Sequence, residues 1–330
     1  MMIRIKLSNP PPDWPWFRQT PGRTGMWGNC QFFTSPDVKE CDYWLVYEGL
    51  ANRETVRCPR EHVIFVTGEP PSIRTYDPDF LGQFSTVFTC RPDIVHHGKV
   101  VSQPALPWWV GLRFVHTEVW SHKFDPEYSL DYDSLKRTGI PKKERLMSIV
   151  TSDKTRTKGH ERRLAFARWI KKEFEGEVDV FISGERILED KWDAIAPYKY
   201  HIAIENSAYD NYFTEKLTDP FLGMSYPLYY GCPNLADYFP KDAFAFIDIN
   251  NQDAAERLIR QVIKEERFEK HATALMEAKR LVLDKYNLFA MISEFCEGQS
   301  SKGEMTKITL EPERKFMRWK GLRSRLSRFV

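Results

Sequence analysis

A chain of 330 residues, 42% hydrophobic and 14% aromatic, has the apolar content to bury a full core and the length for two domains of ordinary size, which excludes a disordered chain. Its 48 Lys and Arg stand against 46 Asp and Glu, a net charge of +2, so no global field calls for nucleic acid or another polyanion. No apolar run approaches the length of a membrane-spanning helix.

The first residues, "MMIRIKLSNPPPDWPWF", hold a short apolar run broken by Arg4 and Lys6 and then a proline cluster, which fits neither a signal peptide nor a membrane anchor. Short runs rich in β-branched or aromatic residues follow, each closed by polar residues or glycine, and predict strands at 43–49, 62–69, 145–153, 178–184, 200–206, 226–231 and 244–249. Between the later runs lie helical patterns. One covers 159–175, with Leu164, Ala167, Ile170 and Phe174 near one face. Another starts at Asp253, a capping residue with Glu256 three positions on, and places Ala255, Leu258, Ile259, Val262 and Ile263 on one stripe. Strands alternating with helices imply parallel sheets and an α/β fold.

A loop-rich segment, roughly 100–144, separates two strand groups and predicts an N-terminal unit over 1–142 and a C-terminal unit over 143–300. In the remaining tail, 301–330, Phe316, Trp319, Leu322, Leu326 and Phe329 recur at helical spacing among Arg and Lys. That is the pattern of an interfacial helix lying on an anionic membrane; packing on the protein's own surface or on a partner chain is the alternative. The six cysteines contain no C-x-x-C pair and read as reduced thiols of a cytoplasmic protein.

The absence of G-x-G-x-x-G, G-x-x-x-x-G-K-[ST], H-E-x-x-H and G-x-S-x-G takes weight from nicotinamide oxidoreductases, P-loop enzymes, zincins and α/β-hydrolases. His96–His97 and the His116, Glu118, His122 group are candidate metal ligands, but solvated or hydrogen-bonded histidines are the commoner use, so no metal is expected. Asp131-Tyr132-Asp133 has the Asp-x-Asp form of metal-dependent sugar transferases, in a match too short to carry weight. Trp108, Trp109 and Trp120 could stack on sugar faces or belong to a core.

The informative stretch is "YKYHIAIENSAYDNYFTEKL", residues 198–217. An apolar strand ends in Glu205, Asn206 and Ser207, and Thr214 then caps a helix that opens with Glu215 and Lys216, shortened or bent by Pro220. Backbone N–H groups at that helix start, with Lys216 beside them, form a cradle for a diphosphate. Glu215 cannot help a phosphate and would accept hydrogen bonds from hydroxyls. Phosphate plus polyol suggests a nucleotide sugar.

Residues 198–249 closely resemble the donor-binding core of the α-1,3/α-1,4-fucosyltransferase family (glycosyltransferase family 10), of its soluble bacterial type. There a Phe-Glu-Asn-Ser-like strand end, Tyr-x-Thr-Glu-Lys, a Pro-Val/Ile-aromatic-x-Gly strand and a Phe-Ile-x-Asp stretch follow in that order. "HVIFVTGEPPS" and "ERRLAFARWI" are similar, more weakly, to the family's Thr-Gly-Glu turn and Arg-x-x-Phe helix. The resemblance implies a GT-B architecture, two Rossmann-like domains facing a central cleft, and inverting transfer of L-fucose from GDP-fucose to a glycan hydroxyl. It implies Glu69 as the base. It further implies Arg163 (with Arg162 and Arg156 as alternatives) and Lys216 on the phosphates, and Asn206 and Glu215 on sugar hydroxyls. Glu205, Ser207 and Tyr212 belong to the same pocket. No metal or other cofactor is implied, and no nucleic acid. The tail would hold a cytoplasmic protein at the inner membrane face. The segment "FLGMSYPLYYG" departs from the family, whose members often carry an Ala-Gly pair there, and 104–120 has no family counterpart.

Overall fold

The computed structural model describes residues 2–9, 14–114, 124–186, 188–299 and 303–317. The chain divides into two compact units. The first takes the chain up to Phe17, then Thr24–Pro104, and the chain from Phe289; the second takes Arg18–Arg23 and Ala105–Leu288.

The first unit begins with β1 (Ile3–Ser8), β2 (Met26–Trp27), β3 (Cys30–Phe33), β4 (Tyr43–Tyr47), β5 (Glu54–Pro59), β6 (Val63–Val66), the short helix α1 (Pro78–Leu81), β7 (Thr86–Thr89) and β8 (Lys99–Val101). β1 is the stretch read as a broken apolar run. Ile5 and Leu7 are buried on one face while Lys6 and Ser8 point to the other, a strand period of two that its arginine and lysine disguise. Seven strands lie in the order β2-β3-β1-β4-β6-β7-β8. All neighbours are parallel except the β2–β3 hairpin. Trp44, Val46, Phe65, Phe80, Phe84 and Val87 form its core, each buried aromatic or aliphatic contributing about 1.5–3 kcal/mol.

The second unit holds the antiparallel pair β9 (Leu112–Phe114) and β10 (Phe124–Ser129), α2 (Tyr132–Arg137), β11 (Arg145–Thr151), α3 (Lys158–Glu173), β12 (Val178–Ile182) and β13 (Tyr198–Ile204). It continues with α4 (Glu215–Leu222), β14 (Tyr226–Tyr230), β15 (Ala245–Phe246), α5 (Gln252–Lys264), α6 (Arg267–Lys270) and α7 (Ala272–Asp284). Its main sheet runs β12-β11-β13-β14-β15 with every neighbour parallel. Both units are thus parallel α/β sheets of doubly wound order, the Rossmann-like pair expected of a GT-B chain. α5 is capped by Asn251, whose side chain accepts from Ala254 N at 3.0 Å, so Asp253 sits in the first turn instead of at the cap.

The division falls at Pro104/Ala105 and Leu288/Phe289, away from the linear ranges 1–142 and 143–300. The physical reason is a chain of bonds: Trp109 N and Gly111 N donate to Asp219 (3.1 Å) and Asp190 (2.9 Å), tying the loop-rich segment to the second unit, and Arg18, 3% exposed, donates to the carbonyls of Val110 (3.1 Å), Leu130 (2.6 Å) and Trp108, bringing 18–23 with it. The chain then returns. α8 (Leu288–Glu297) leads back, and β16 (Met305–Leu310) pairs antiparallel with β5 over six residues. The first part of the basic tail is therefore strand, and Phe316 packs against the first unit's core. Trp319, Leu322, Leu326 and Phe329 lie outside the described residues, as do Trp120, His116, Glu118 and His122. No helix among the described residues is long and apolar enough to cross a membrane. All six cysteines are buried free thiols.

Candidate active site

In the second unit the strand order reverses at β11, with β12 on one side and β13 on the other. Ligands of doubly wound sheets bind in the crevice beyond the carboxyl ends of strands at such a switch point. Two polar segments meet there: Ser152–Asp153 after β11 and Glu205–Asn206–Ser207 after β13. α3 starts close by, capped by Thr157, whose hydroxyl accepts from His160 N at 3.2 Å. A Cβ at Gly159 would lie 2.0 Å from the Asn206 carbonyl oxygen, so only glycine lets the helix start approach the strand end. Arg163, one turn further, donates to Asn206 Oδ1 at 2.5 Å and to Ser152 Oγ at 2.8 Å. It is 5% exposed, and its Nε has no partner among the described residues. Arg162 is exposed and its side chain bonds back along its own helix, to the Lys158 carbonyl at 3.4 Å. Arg156 is exposed.

Glu205 lies beneath this edge, 1% exposed. Its carboxylate accepts from Thr214 N (2.8 Å) and from Thr214 Oγ1 (2.8 and 3.0 Å), pinning the residue that caps α4. Lys216 Nζ stands 3.7 Å from Glu205 and 3.0 Å from Glu215. Burial, with Glu215 nearby, pushes Glu205 up to about 7 despite Lys216 and the Thr214 bonds. Glu215 goes the other way: burial would raise it, but Lys216 and Lys191 bring it down to about 2. The paired carboxylates hold Lys216 above its ordinary value against the effect of burial. One carboxylate is thus a floor that can hold a proton, and the other is an anion held beside Lys216. Burial and the neighbouring Arg163, Lys154, Lys216 and Arg156 lower His160, which marks the rim as cationic.

Tyr212 is buried and stacks on Tyr209 at 4.8 Å, while its carbonyl accepts from the Tyr229 hydroxyl at 3.4 Å. Ser207 is half-buried at the loop's edge. Within α4, Asp219 accepts from Lys191 Nζ at 2.7 Å and from Trp109 N at 3.1 Å, so Trp109 is anchored while Trp108 is core. Asp131 and Asp133 have structural duties. Asp131 caps α2 and pairs with Arg23 at 2.7 Å, and Asp133 accepts from Gly22 N at 2.7 Å. The His96 and His97 rings lie 4.3 Å apart, and no group of three or more potential metal ligands occurs among the described residues.

Glu69 belongs to the first unit, in the turn after β6. That turn is held by Glu48, a residue sequence reasoning passed over. From a left-handed backbone position after β4, Glu48 accepts from Gly68 N, from Glu69 N (2.8 Å), from the Tyr76 hydroxyl (2.6 Å) and from Arg74 (2.9 Å). A Cβ at Gly68 would come within 2.9 Å of Glu48 Oε1 and 3.0 Å of the Tyr47 hydroxyl, so the glycine is fixed by this close approach. Arg91 closes the far side with bonds to the Arg74 carbonyl (2.6 Å) and the Glu69 carbonyl (3.4 Å). Only "YEG" at 47–49, a carboxylate at a strand end, hinted at this role. His160, Ser152 and Gly159 were also missed, because no pairwise spacing in sequence brings 152, 159 and 206 together.

Residues 140–275 match the model described as glycosyltransferase family 10 (fucosyltransferase), C-terminal. They form a family 10 glycosyltransferase domain. Every residue of the cluster Ser152, Arg163, Glu205, Asn206, Thr214, Glu215 and Lys216 falls inside this family 10 domain. Over 53 residues the chain is 42% identical to GDP-fucose protein O-fucosyltransferase 3 of Bos taurus, a stretch covering 16% of this chain and 11% of that protein. For its counterpart in Danio rerio the identity is 34% over 70 residues, 21% of this chain and 15% of that protein. The chain therefore matches only a small share of these relatives' length. Among solved structures, an α1,3-fucosyltransferase with GDP-fucose aligns with a TM-score of 0.45 and 14% identity, over 87% of this chain and 92% of that one. An α-glucosyltransferase in complex with UDP-glucose and DNA aligns at 0.44 and 8%, over 90% of this chain and 99% of that one.

Proposed function

We propose that this glycosyltransferase moves L-fucose from GDP-fucose to O3 of an N-acetylglucosamine or glucose unit of a glycan acceptor, with inversion to an α-linkage. The observation that carries the reading is the pairing at the switch point. A buried arginine and a lysine face a crevice whose carboxylates are either satisfied from below, as in Glu205, or ionised beside the lysine, as in Glu215. A diphosphate leaving group needs fixed positive charge, and a sugar needs fixed acceptors.

In this mechanism Arg163 and Lys216, with the backbone N–H groups at the starts of α3 and α4, bind the diphosphate and stabilise the charge that develops on it. Asn206 and Glu215 hold hydroxyls of the ribose or fucose, Ser207 and Tyr212 complete the pocket, and Glu205 acts from beneath by fixing Thr214. Glu69 takes the proton from the acceptor hydroxyl as it attacks the sugar carbon from the face opposite the departing GDP. The two cations supply the charge a metal would otherwise bring. A donor with another GDP-linked deoxyhexose would meet the same clamp.

We place the protein in the cytoplasm, at the inner membrane face through its basic C-terminal tail; flotation with anionic liposomes, with and without residues 311–330, tests this. A second acceptor reading rests on the relatives named as protein O-fucosyltransferases: a polypeptide hydroxyl in place of a sugar hydroxyl. The deciding experiment measures GDP release from GDP-fucose, GDP-mannose and UDP-sugars, with N-acetyllactosamine-type glycans and folded protein domains as acceptors and Glu69→Ala as control. Acceptor-dependent release from GDP-fucose alone, lost in the control while GDP-fucose still binds, is the expected result. Turnover of a different nucleotide sugar would end the fucose assignment.

A further inference from the structure

Outside this machinery, the first unit has a cavity of about 770 Å³ on the sheet face that carries Lys6 and Ser8. The volume is within the range of small-ligand pockets. Five cationic side chains line it, Lys6, Lys39, Arg53, Arg57 and Lys307, against one carboxylate, Glu54. They come from four places: β1, the loop after β3, β5 with the turn before it, and β16.

Lys6 is buried and already paired with Glu54 at 3.0 Å, so it fixes the floor. The rim differs. Arg53 is exposed and pairs at 3.2 Å with the partly buried Glu311, and Arg57 pairs at 3.6 Å with Glu40 in the open, a contact worth little. The Lys39 ammonium donates to the Pro36 carbonyl at 3.1 Å, and neither it nor the Lys307 ammonium has a carboxylate partner among the described residues. Arg57 and Lys307 are also directly opposite each other on the β5–β16 ribbon, on one face with Thr55 and Thr309, whose hydroxyls meet at 2.9 Å. Like charges opposite each other across an antiparallel pair cost stability unless an anion lies between them. The other face of the ribbon, with Val56, Cys58, Ile308 and Leu310, is core and fixes this orientation.

We propose that this pocket binds an acidic glycan segment, a run of carboxylated sugar units belonging to the acceptor. A single phosphate could engage only one or two of cations spread over four segments; an extended chain with repeated carboxylates engages several. Thr34 and Asn52 add hydroxyl and amide groups suited to sugar hydroxyls. The Ser8 end of the pocket also shares an edge with the Glu69 turn. Ser8 pairs with Val46 of β4 and Val46 with Phe65 of β6, so Ser8 lies two strand spacings, about 10 Å, from the strand that runs on into the Glu69 turn four residues later. The assignment of this ligand to the acceptor rests on the transfer reading above.

The test titrates the full chain with hexagalacturonate, with neutral cellohexaose and with inorganic phosphate, and measures GDP-fucose binding on the same samples. The variant is Lys39→Glu combined with Lys307→Glu, two exposed positions outside the transfer machinery. Hexagalacturonate should bind, more weakly as salt is raised, and lose about tenfold or more in the variant while GDP-fucose binding is unchanged. Equal binding of hexagalacturonate and cellohexaose, no binding, or no loss in the variant overturns the proposal. Phosphate binding that the variant loses, without hexagalacturonate binding, overturns it in favour of a phosphoryl ligand. Failure of GDP-fucose to bind while hexagalacturonate behaves as expected would leave the pocket standing and end the transfer reading instead.

Discussion

At the switch point of the second unit, between β11 and β13, the sheet presents Arg163 and Lys216 and keeps a buried carboxylate, Glu205, underneath. The first unit winds its parallel strands in the same sense, with β3 on one side of β1 and β4 on the other, but after β4 it presents the carboxylate of Glu48. That carboxylate gathers backbone N–H groups, a hydroxyl and Arg74 around the Gly68–Glu69 turn. The proposed transfer asks the first edge to attract an anion and the second to hold a carboxylate-bearing turn still. Topology sets where a ligand can approach, and the few side chains at the strand ends set which charge it must carry.

The comparison breaks most visibly at Glu69. Glu69→Gln should lower kcat about a thousandfold with GDP-fucose affinity unchanged, measured by steady-state turnover and calorimetry; an equal loss of donor affinity would move Glu69 out of the base role. At the other edge Lys216→Ala should cost about a hundredfold or more in kcat and weaken GDP binding as well, because its charge meets the diphosphate before and after transfer. Normal GDP affinity in that variant would contradict the clamp. Glu48→Gln should act through Glu69. We expect a loss of about tenfold to a hundredfold in kcat, unchanged donor affinity and a melting temperature lowered by the loss of about 1.5–3 kcal/mol of charged hydrogen bonding.

The smallest effect sharpens the pH side of the comparison. Glu205 keeps its proton to about pH 7 when folded but not when unfolded, so the stability its protonated form gives is full at acid pH and is lost as pH rises through about 7. The total is on the order of 3 kcal/mol. Thermal melts of wild type against Glu205→Gln, from about pH 5 to about pH 8, should show the wild type falling relative to the variant. Parallel curves would mean that Glu205 is ionised throughout.

Much of the second unit was legible because its signals are local. The runs at 145–153, 178–184, 200–206 and 226–231 became β11 to β14 within two residues at each end, and Thr214 caps α4 as its place before Glu215 suggested. The first unit was harder to read. β1 hides its alternation behind Arg4 and Lys6, and the β5–β16 ribbon joins residues about 250 apart, which no window of sequence can register. The resemblance favoured Arg163 and left Arg162 as an alternative, and only the folded helix turns the first into the protein and the second out.

The sequence by itself determined the alternation of strands and helices, the strand end at Glu205–Ser207, the helix start at Thr214–Lys216 and the family resemblance, since each depends on residues adjacent or one turn apart. Only the tertiary structure decided that Arg163 meets Asn206 and Ser152, that Glu48 cages the Glu69 turn, and that Lys39, Arg57 and Lys307 share one cavity. Those contacts join segments brought together by parallel crossovers and a returning C-terminal strand, and a charge gains its partner only when the chain has closed those loops.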